Sequence, residues 1–303
     1  MDRLDALRAF TLAVDRGSLS AAGRQLARSP ASITRAIAAL EDRLGAPLLV
    51  RTTRALKLTE AGERFLPTAR RVLDELDVAE AAATATAGRE PHGQLTVTAP
   101  VLFGSLHVRP LVESYLASHA GVRVRLLLLD RVVNLVDEGV DIAVRIAHLP
   151  DSALIATAVG AVRRLAVASP AYLARHGTPR KPADLAAHRC ISSLGLTPSE
   201  TWTFRRGRAI QVRVAPVLSV NHAESAIGAA AAGAGITCAL SYQVADHLER
   251  GALVRLLPAF EPPPVPVQLV FPAAGARAAK VRAFLELATP RLRAALARPR
   301  GSR

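Results

Sequence analysis

The chain has 303 residues and a formal net charge of +14 at pH 7, with 39 basic and 25 acidic side chains. Half of the residues are hydrophobic, so the composition excludes a disordered chain, and the length predicts two domains or three smaller modules. Two cysteines exclude a disulfide framework, the acidic first residues are unlike a secretion signal, and the longest bland stretch, 226–240, is shorter than a membrane span. We therefore expect a soluble, cytoplasmic protein with no membrane association, and the charge makes a polyanion a candidate partner.

Three short helices are predicted at the start of the chain. Apolar residues at helical spacing mark the first helix: Leu4, Leu7, Phe10 and Val14. Gly17 can end this helix, and Ser18 or Ser20 can cap a second one. Ser29 and Pro30 predict the start of a third helix, with Ser29 as the N-cap and Pro30 at the first helical position, where its missing N–H costs nothing.

The third helix is predicted to have two different faces. Four apolar residues form one face: Ile33, Ile37, Leu40 and Leu44. The opposite face carries small residues and a single arginine: Ala31, Thr34, Arg35 and Ala38. Small side chains let a helix enter the major groove, which is about 12 Å wide, where Thr34 can contact bases or phosphates and Arg35 can pair with guanine. A short helix, a tight turn and a groove-facing helix together predict a helix-turn-helix.

A two-stranded ribbon is predicted over residues 48–58. Polar and basic residues lie near its tip: Arg51, Thr52, Thr53, Arg54 and Lys57. Such a ribbon would act as a wing whose cations contact the sugar-phosphate backbone. Periodicity alone also allows a small helical domain with a solvated basic hairpin.

The same residues resemble a known family over about sixty positions without a gap. The segments that carry the resemblance are 18–22, 29–37, 40–52 and 58–62, and they are similar to the winged helix-turn-helix of LysR-type transcriptional regulators. The resemblance implies that the following residues contact double-stranded DNA: Ser20, Ser29, Pro30, Ala31, Thr34, Arg35, Arg51, Thr52 and Arg54. Pro30 departs from the family pattern, in which many members carry Gln, so one base-reading amide is absent.

A long linker helix is predicted next. Thr59 can cap it, and Glu60 and Glu63 suit its positive N-terminal end. Apolar residues then alternate at spacings of four and three: Phe65, Ala69, Val72, Leu76, Ala79 and Ala83. This repeat is typical of a coiled-coil seam, so residues 59–92 are predicted to be a dimerising helix and hinge, with a helix packed on its own domain as the alternative. Pro67 inside the helix has no explanation in the sequence. The family resemblance implies a homodimer through this helix and further pairing into a homotetramer.

Strands and helices alternate beyond residue 93, which predicts an α/β fold. The predicted strands are 95–98, 122–128, 141–146, 164–168, 190–193, 218–221, 235–240 and 267–271. Helices are predicted from Pro100 through Tyr115, around Leu135 and over 276–296, and the basic end from Arg291 is expected to be solvated. Two successive α/β sets predict two lobes with a ligand cleft between them.

The landmarks 141–145, 169–173 and 233–236 resemble the effector-binding domain of the same family, which is related to periplasmic binding proteins. The resemblance implies that the chain crosses twice between lobes, with the first lobe formed by 93–163 and 268–303 and the second by 164–267. The predicted fold is therefore multidomain: an all-α winged helix-turn-helix over 1–58, the linker over 59–92 and a two-lobed α/β effector-binding domain over 93–303.

Candidate effector-binding residues lie at strand ends. Thr98, Ala99 and Pro100 end the first strand beside a helix N-terminus, which favours anions, so a small carboxylate or aromatic acid is the predicted effector. Further candidates lie at other strand ends or in nearby loops: Arg145, Ser192, Ser193, Trp202 and Asn221. Trp202 could equally pack in a core, Asn221 could be a turn or capping residue, and Arg145 could form an interlobe salt bridge.

Catalytic motifs are missing from the sequence. The eight histidines form no metal motif, there is no nucleophile elbow or phosphate-binding loop, and Gly233 and Gly235 are only half of a dinucleotide fingerprint. We therefore expect no catalytic residues, no metal and no cofactor. The predicted function is a sequence-specific transcriptional regulator controlled by a small-molecule effector. The alternatives are an effector-independent architectural DNA-binding protein and, less favoured, a solute-binding protein.

Overall fold

The computed structural model describes residues 2–51, 56–83, 90–149, 154–193, 200–273 and 275–297. A helical N-terminal unit leads through one long helix into two α/β lobes. This arrangement confirms the predicted fold class. We call residues 2–51 and 56–58 the head.

The head contains three helices and a short ribbon: α1 (Arg3–Arg16), α2 (Leu19–Gln25), α3 (Pro30–Leu44), β1 (Leu49–Arg51) and β2 (Leu56–Leu58), with the two strands antiparallel. Gly17 ends α1 at a φ of 61°, and the Ser18 hydroxyl, not that of Ser20, caps α2 by accepting from Ala21 N–H. Phe10 and the apolar face of α3 form the core. Leu44 was predicted on that face but is 40% exposed, because it lies in the last turn of α3.

The linker helix α4 spans Glu60–Ala83 and continues through Pro67. Thr59 caps it as predicted, since the Thr59 hydroxyl accepts from Gly62 N–H at 2.9 Å. The first half packs on the head through Phe65, Leu66 and Ala69. This part of α4 therefore follows the alternative interpretation, a helix packed on its own domain, and it moves with the head as one unit.

The first α/β segment contains β3 (Gly93–Ala99), α5 (Val101–Phe103), α6 (Arg109–Ser118), β4 (Val122–Leu128), β5 (Ile142–Ile146) and β6 (Leu154–Val162). A π-helical turn, Gly104–Val108, joins α5 to α6. The helix predicted around Leu135 is wrong, because residues 135–139 form turns. Strand β6 was not predicted.

The second segment forms the second lobe. Its elements are β7 (Arg164–Ala168), α7 (Pro170–His176), β8 (Cys190–Ser193), β9 (Thr201–Arg206), β10 (Arg208–Arg213), β11 (Pro216–Val220), α8 (Ala223–Ala231), β12 (Ile236–Leu240), α9 (Ser241–Glu249) and β13 (Val254–Leu256). The sheet order is β11–β8–β12–β7–β13, and β9 and β10 form a separate hairpin. Cys190 is buried, and Cys238 on β12 is partly exposed. Burial raises the pKa of the Cys190 thiol to about 11 and that of Cys238 to about 12.

The chain then returns to the first lobe with β14 (Val265–Pro272) and α10 (Ala279–Ala297). The first sheet has the order β4–β3–β5–β14–β6, in which β14 is antiparallel to both neighbours. Strand β14 begins three residues before the crossing predicted at 268. The prediction of a solvated end from Arg291 is wrong as far as Ala297, since α10 reaches that residue and buries Leu292. Residues 298–303 lie outside the described part of the chain.

Candidate DNA-reading surface and interlobe cleft

The N-terminal end of α3 carries the predicted DNA-contacting residues on one surface. The Ser29 hydroxyl accepts from Ser32 N–H at 3.2 Å, so Ser29 and Pro30 start the helix as expected. Ala31 and Arg35 are exposed, and Thr34 is half-buried between them. A single cation among small side chains leaves this end of α3 free to approach a groove closely.

The turn between α2 and α3 holds this surface in place. A Cβ added at Gly23 would lie 2.7 Å from the Arg28 carbonyl oxygen, so only glycine allows the two segments to approach this closely. The Arg28 guanidinium reaches back to Asp5 on α1 at 2.8 Å. Ser20 lies exposed in the first turn of α2, next to this turn. Sequence reasoning missed Gly23, although a glycine inside a short helix could have indicated a close approach.

The base of the wing is fixed by a carboxylate that the sequence did not single out. Glu41 on α3 accepts from Leu48 N–H at 2.7 Å and from Leu49 N–H at 3.0 Å. A Cβ added at Gly62 would lie 2.1 Å from the Leu48 carbonyl oxygen, so α4 also closes on this strand. The backbone of Arg51 ends β1, whereas its side chain and the predicted contacts Thr52 and Arg54 lie outside the described residues.

A cleft of about 540 Å³ lies between the lobes. Five of the predicted effector residues line it: Thr98, Ala99, Pro100, Arg145 and Ser193. Residues that the sequence did not suggest also line it, notably Asp130, Arg131, Arg164 and Tyr242. They lie in loops and on elements far apart in the chain, so no local pattern brings them together.

Three predicted effector residues do not line the cleft. Trp202 is 4% exposed and packs with Phe204 and Val212 in the core of the second lobe, which agrees with its alternative role in packing. Ser192 is buried within β8, where neighbouring residues alternate between the two faces of the sheet. Asn221 is exposed in the bend before α8.

The helix N-terminus predicted to bind an anion already holds one from the protein itself. Asp130 Oδ1 accepts from Val101 N–H at 3.0 Å, at the first residue of α5. Its other oxygen lies 3.9 Å from Nδ1 of His222 in the second lobe. Because Asp130 occupies this positive end, the structure does not support an effector carboxylate at this helix terminus.

Arginines supply the positive charge of the cleft. Arg145 donates to the Val133 carbonyl oxygen at 2.7 Å, a contact within the first lobe rather than the interlobe salt bridge considered above. Arg131 forms two hydrogen bonds to Glu138, at 2.8 and 2.9 Å, and this pairing holds the pKa of the Glu138 carboxyl below its usual value. Arg164 lines the cleft from the second lobe.

An aromatic contact connects the two lobes at the cleft. The Tyr242 ring from α9 meets the Phe103 ring from α5 edge-on, with 5.2 Å between centroids. The Tyr242 hydroxyl lies 3.4 Å from the side-chain nitrogen of Gln243, and burial raises the pKa of Tyr242. Tyr242 therefore remains a neutral phenol at physiological pH. Apolar side chains line much of the remaining wall, including Val133, Ile146 and Val265.

Two searches of the described residues found no further kind of site. No described helix is both long and apolar enough to cross a membrane. Within the same residues, no three His, Cys, Asp or Glu side chains come together in a group that could hold a metal ion.

Comparisons with known proteins agree with this geometry. Residues 4–63 match the family model of the bacterial regulatory helix-turn-helix protein, lysR family, and residues 88–293 match the LysR substrate binding domain. The chain is 35% identical over 284 residues to the HTH-type transcriptional regulator PtxR of Pseudomonas aeruginosa, covering 93% of this chain and 91% of PtxR. The structure of CrgA from Neisseria meningitidis is 30% identical, with a TM-score of 0.61 over 95% of this chain and 98% of CrgA. The full-length virulence activator AphB of Vibrio cholerae is 27% identical, with a TM-score of 0.60 over 95% of this chain and 98% of AphB.

The chain belongs to the family of LysR-type transcriptional regulators. It is a DNA-binding regulator with an effector-binding domain, and the prediction that it is not an enzyme is confirmed by its relatives, which are transcriptional regulators. Regulators of this family bind DNA and small-molecule effectors and form oligomers.

Proposed function

We propose that α3 reads operator DNA in the major groove, with Arg35 and Thr34 contacting bases and Ser29 near a phosphate. The observation that supports this assignment is the exposed N-terminal face of α3, where Ala31 and Arg35 stand clear of the head core. A 15-residue helix that begins here also presents its positive end to the backbone. Ser20, Pro30, Arg51, Thr52 and Arg54 complete the proposed DNA surface.

We further propose that α4 carries homodimerisation. Its first half packs on the head, but Val72 is 36% exposed and Ala79 is exposed, so the second half leaves apolar positions open to a partner helix. A two-fold dimer presents two α3 helices to a palindromic site, which one head alone cannot read fully. Pairing of effector domains would extend the dimer to a homotetramer. The regulator works on chromosomal DNA, and we place it in the cytoplasm.

The proposed effector is a small organic acid with an apolar or aromatic body. Arg145 and Arg131 face the cleft from the first lobe and Arg164 from the second, so an anion there would meet guanidinium groups from both sides. Ile146 and Val265 offer apolar surface to the rest of such a molecule. Asp130 disfavours a carboxylate at the α5 terminus, so the acid group belongs at the arginines.

A thermal-shift screen of the full chain tests the effector assignment. Small aliphatic and aromatic acids are compared with their neutral amides, and a true effector at about 100 times its Kd should stabilise the protein by about 2.7 kcal/mol. Arg145→Gln should remove this shift, and Arg125→Gln, an exposed arginine on β4 outside the cleft, should keep it. Stabilisation by amides and not by acids would overturn the assignment.

A footprint of the bound DNA, repeated with the stabilising acid, tests regulation. The acid should change the protected region, because a ligand that binds the assembly states unequally shifts their populations. A footprint that no acid alters would favour the effector-independent architectural protein instead.

A further inference from the structure

Head and first lobe touch through a small set of residues, which we call the junction. Asp15, Pro67 and Arg70 contribute from α1 and α4, and Gln94, Arg123 and Gly139 contribute from the first lobe. None of the six belongs to the proposed DNA surface or to the cleft lining.

The polar part of the junction is a chain of charge-assisted hydrogen bonds. Arg70 Nη2 donates to Asp15 Oδ1 at 2.5 Å and to Gln94 Oε1 at 3.3 Å, and Arg123 Nη1 donates to the Asp15 carbonyl oxygen at 3.1 Å. The side chains of Arg70 and Asp15 are only 21% and 16% exposed. Hydrogen bonds shielded from water are directional and strong, so these bonds fix an orientation as well as a contact.

The apolar part lies on the same face of α4, three residues earlier. Pro67 packs against Gly139, where an added Cβ would lie 2.9 Å from Pro67 Cβ. Gly139 has a φ of +60°, a conformation that glycine adopts without strain. This contact accounts for the proline that the sequence left unexplained: its ring provides a flat surface that meets the lobe.

Two elements connect the junction to the cleft. Strand β3 runs from Gln94 at the junction to Thr98 and Ala99 in the cleft wall. Gly139 directly follows Glu138, which holds the cleft residue Arg131 by two hydrogen bonds. A movement of either element at the cleft therefore reaches the head through one strand or one ion pair.

We propose that the junction holds each head in one orientation relative to its first lobe and thereby sets the half-site spacing that the dimer accepts. Gln94 and Arg123 are positioning residues for DNA recognition, acting through Asp15 and Arg70 without touching DNA. The proposal rests on the dimeric reading of DNA proposed above. It assigns the specificity for spacing to the first lobe and the specificity for bases to α3.

The test uses the full chain and the best duplex that the wild-type protein selects from a random-sequence library. Affinities are compared for this duplex, for versions with base pairs inserted or removed between the half-sites, and for a single half-site. The double variant Gln94→Ala/Arg123→Ala should lose the preference for the selected spacing by about tenfold, or about 1.4 kcal/mol, while its half-site affinity stays unchanged. Arg125→Ala removes the same charge from the same strand, makes no described contact with the head, and should behave as wild type.

The outcomes separate the two proposals. A double variant that keeps the wild-type spacing preference would overturn the role of the junction and leave dimeric reading intact. A wild-type protein with no spacing preference would overturn both. If the double variant fails to fold, Gly139→Ala tests the apolar contact, because its new Cβ must displace Pro67; it should lose the same preference, and an unchanged preference would again contradict the proposal.

Discussion

Residues that form the DNA-reading surface of the head come from one short stretch, 20–35, whereas the lining of the cleft is drawn from residues between 98 and 265. In the head, caps and one glycine turn fix α3 through contacts between neighbours in the chain, such as Ser29 with Ser32. In the cleft, Phe103 meets Tyr242 across the lobes. The difference teaches that base reading depends on local sequence here, and effector recognition depends on how distant elements pack.

The largest expected effect concerns a residue that the sequence suggested for the cleft and the structure buries in a core. Trp202→Ala should destabilise the second lobe by about 3–5 kcal/mol, because it removes a large buried side chain. Chemical denaturation measures the loss. Trp202→Phe should recover most of the stability and bind the acid effector with unchanged affinity, and a variant that folds but no longer binds would return Trp202 to the site.

A smaller effect is expected on the reading surface. Arg35→Ala should weaken binding to the selected duplex by about 1–3 kcal/mol, because it removes a base contact, and it should leave the melting temperature of the cleft-forming lobes unchanged. Titration with the selected duplex and with a scrambled one checks the claim. Equal losses on both duplexes would make Arg35 a backbone contact instead.

The smallest effect tests the ion pair beside the cleft. The pKa of Glu138 is lowered in the folded protein by Arg131, so the pair stabilises the fold above the unfolded pKa and stops doing so as the pH falls through the folded value. Glu138→Gln should therefore cost less than about 1 kcal/mol at pH 7 and nothing at pH 3, since the pair is largely exposed. Denaturation at the two pH values measures this, and a pH-independent difference would assign the effect to packing.

The same contrast explains how much could be predicted from the sequence. Ser29, Pro30 and Gly17 act on their own neighbours, so the boundaries of α3 and the end of α1 followed from local chemistry. Thr59 was predicted as a cap for the same reason, and the structure confirms it.

Features that depend on distant residues could not be predicted. Trp202 alternates along β9 with partly exposed neighbours, and nothing in the sequence says which face meets the core and which the cleft. Asp130 lies next to Val101 only because β4 and β3 pair in parallel. Pro67 was unexplained because its partner, Gly139, is 72 positions away along the chain.

The two cysteines have a practical consequence. With thiol pKa values of about 11 and 12, very little of either sulfur is thiolate at neutral pH, and the thiolate is the form that alkylating reagents attack. The wild-type chain should therefore stay unlabelled by maleimides while it is folded. A single cysteine introduced at an exposed position of α3 or α6 could then carry a fluorescent or spin label without replacing Cys190 or Cys238, which makes the native sequence a ready background for spectroscopy on the heads as they meet DNA.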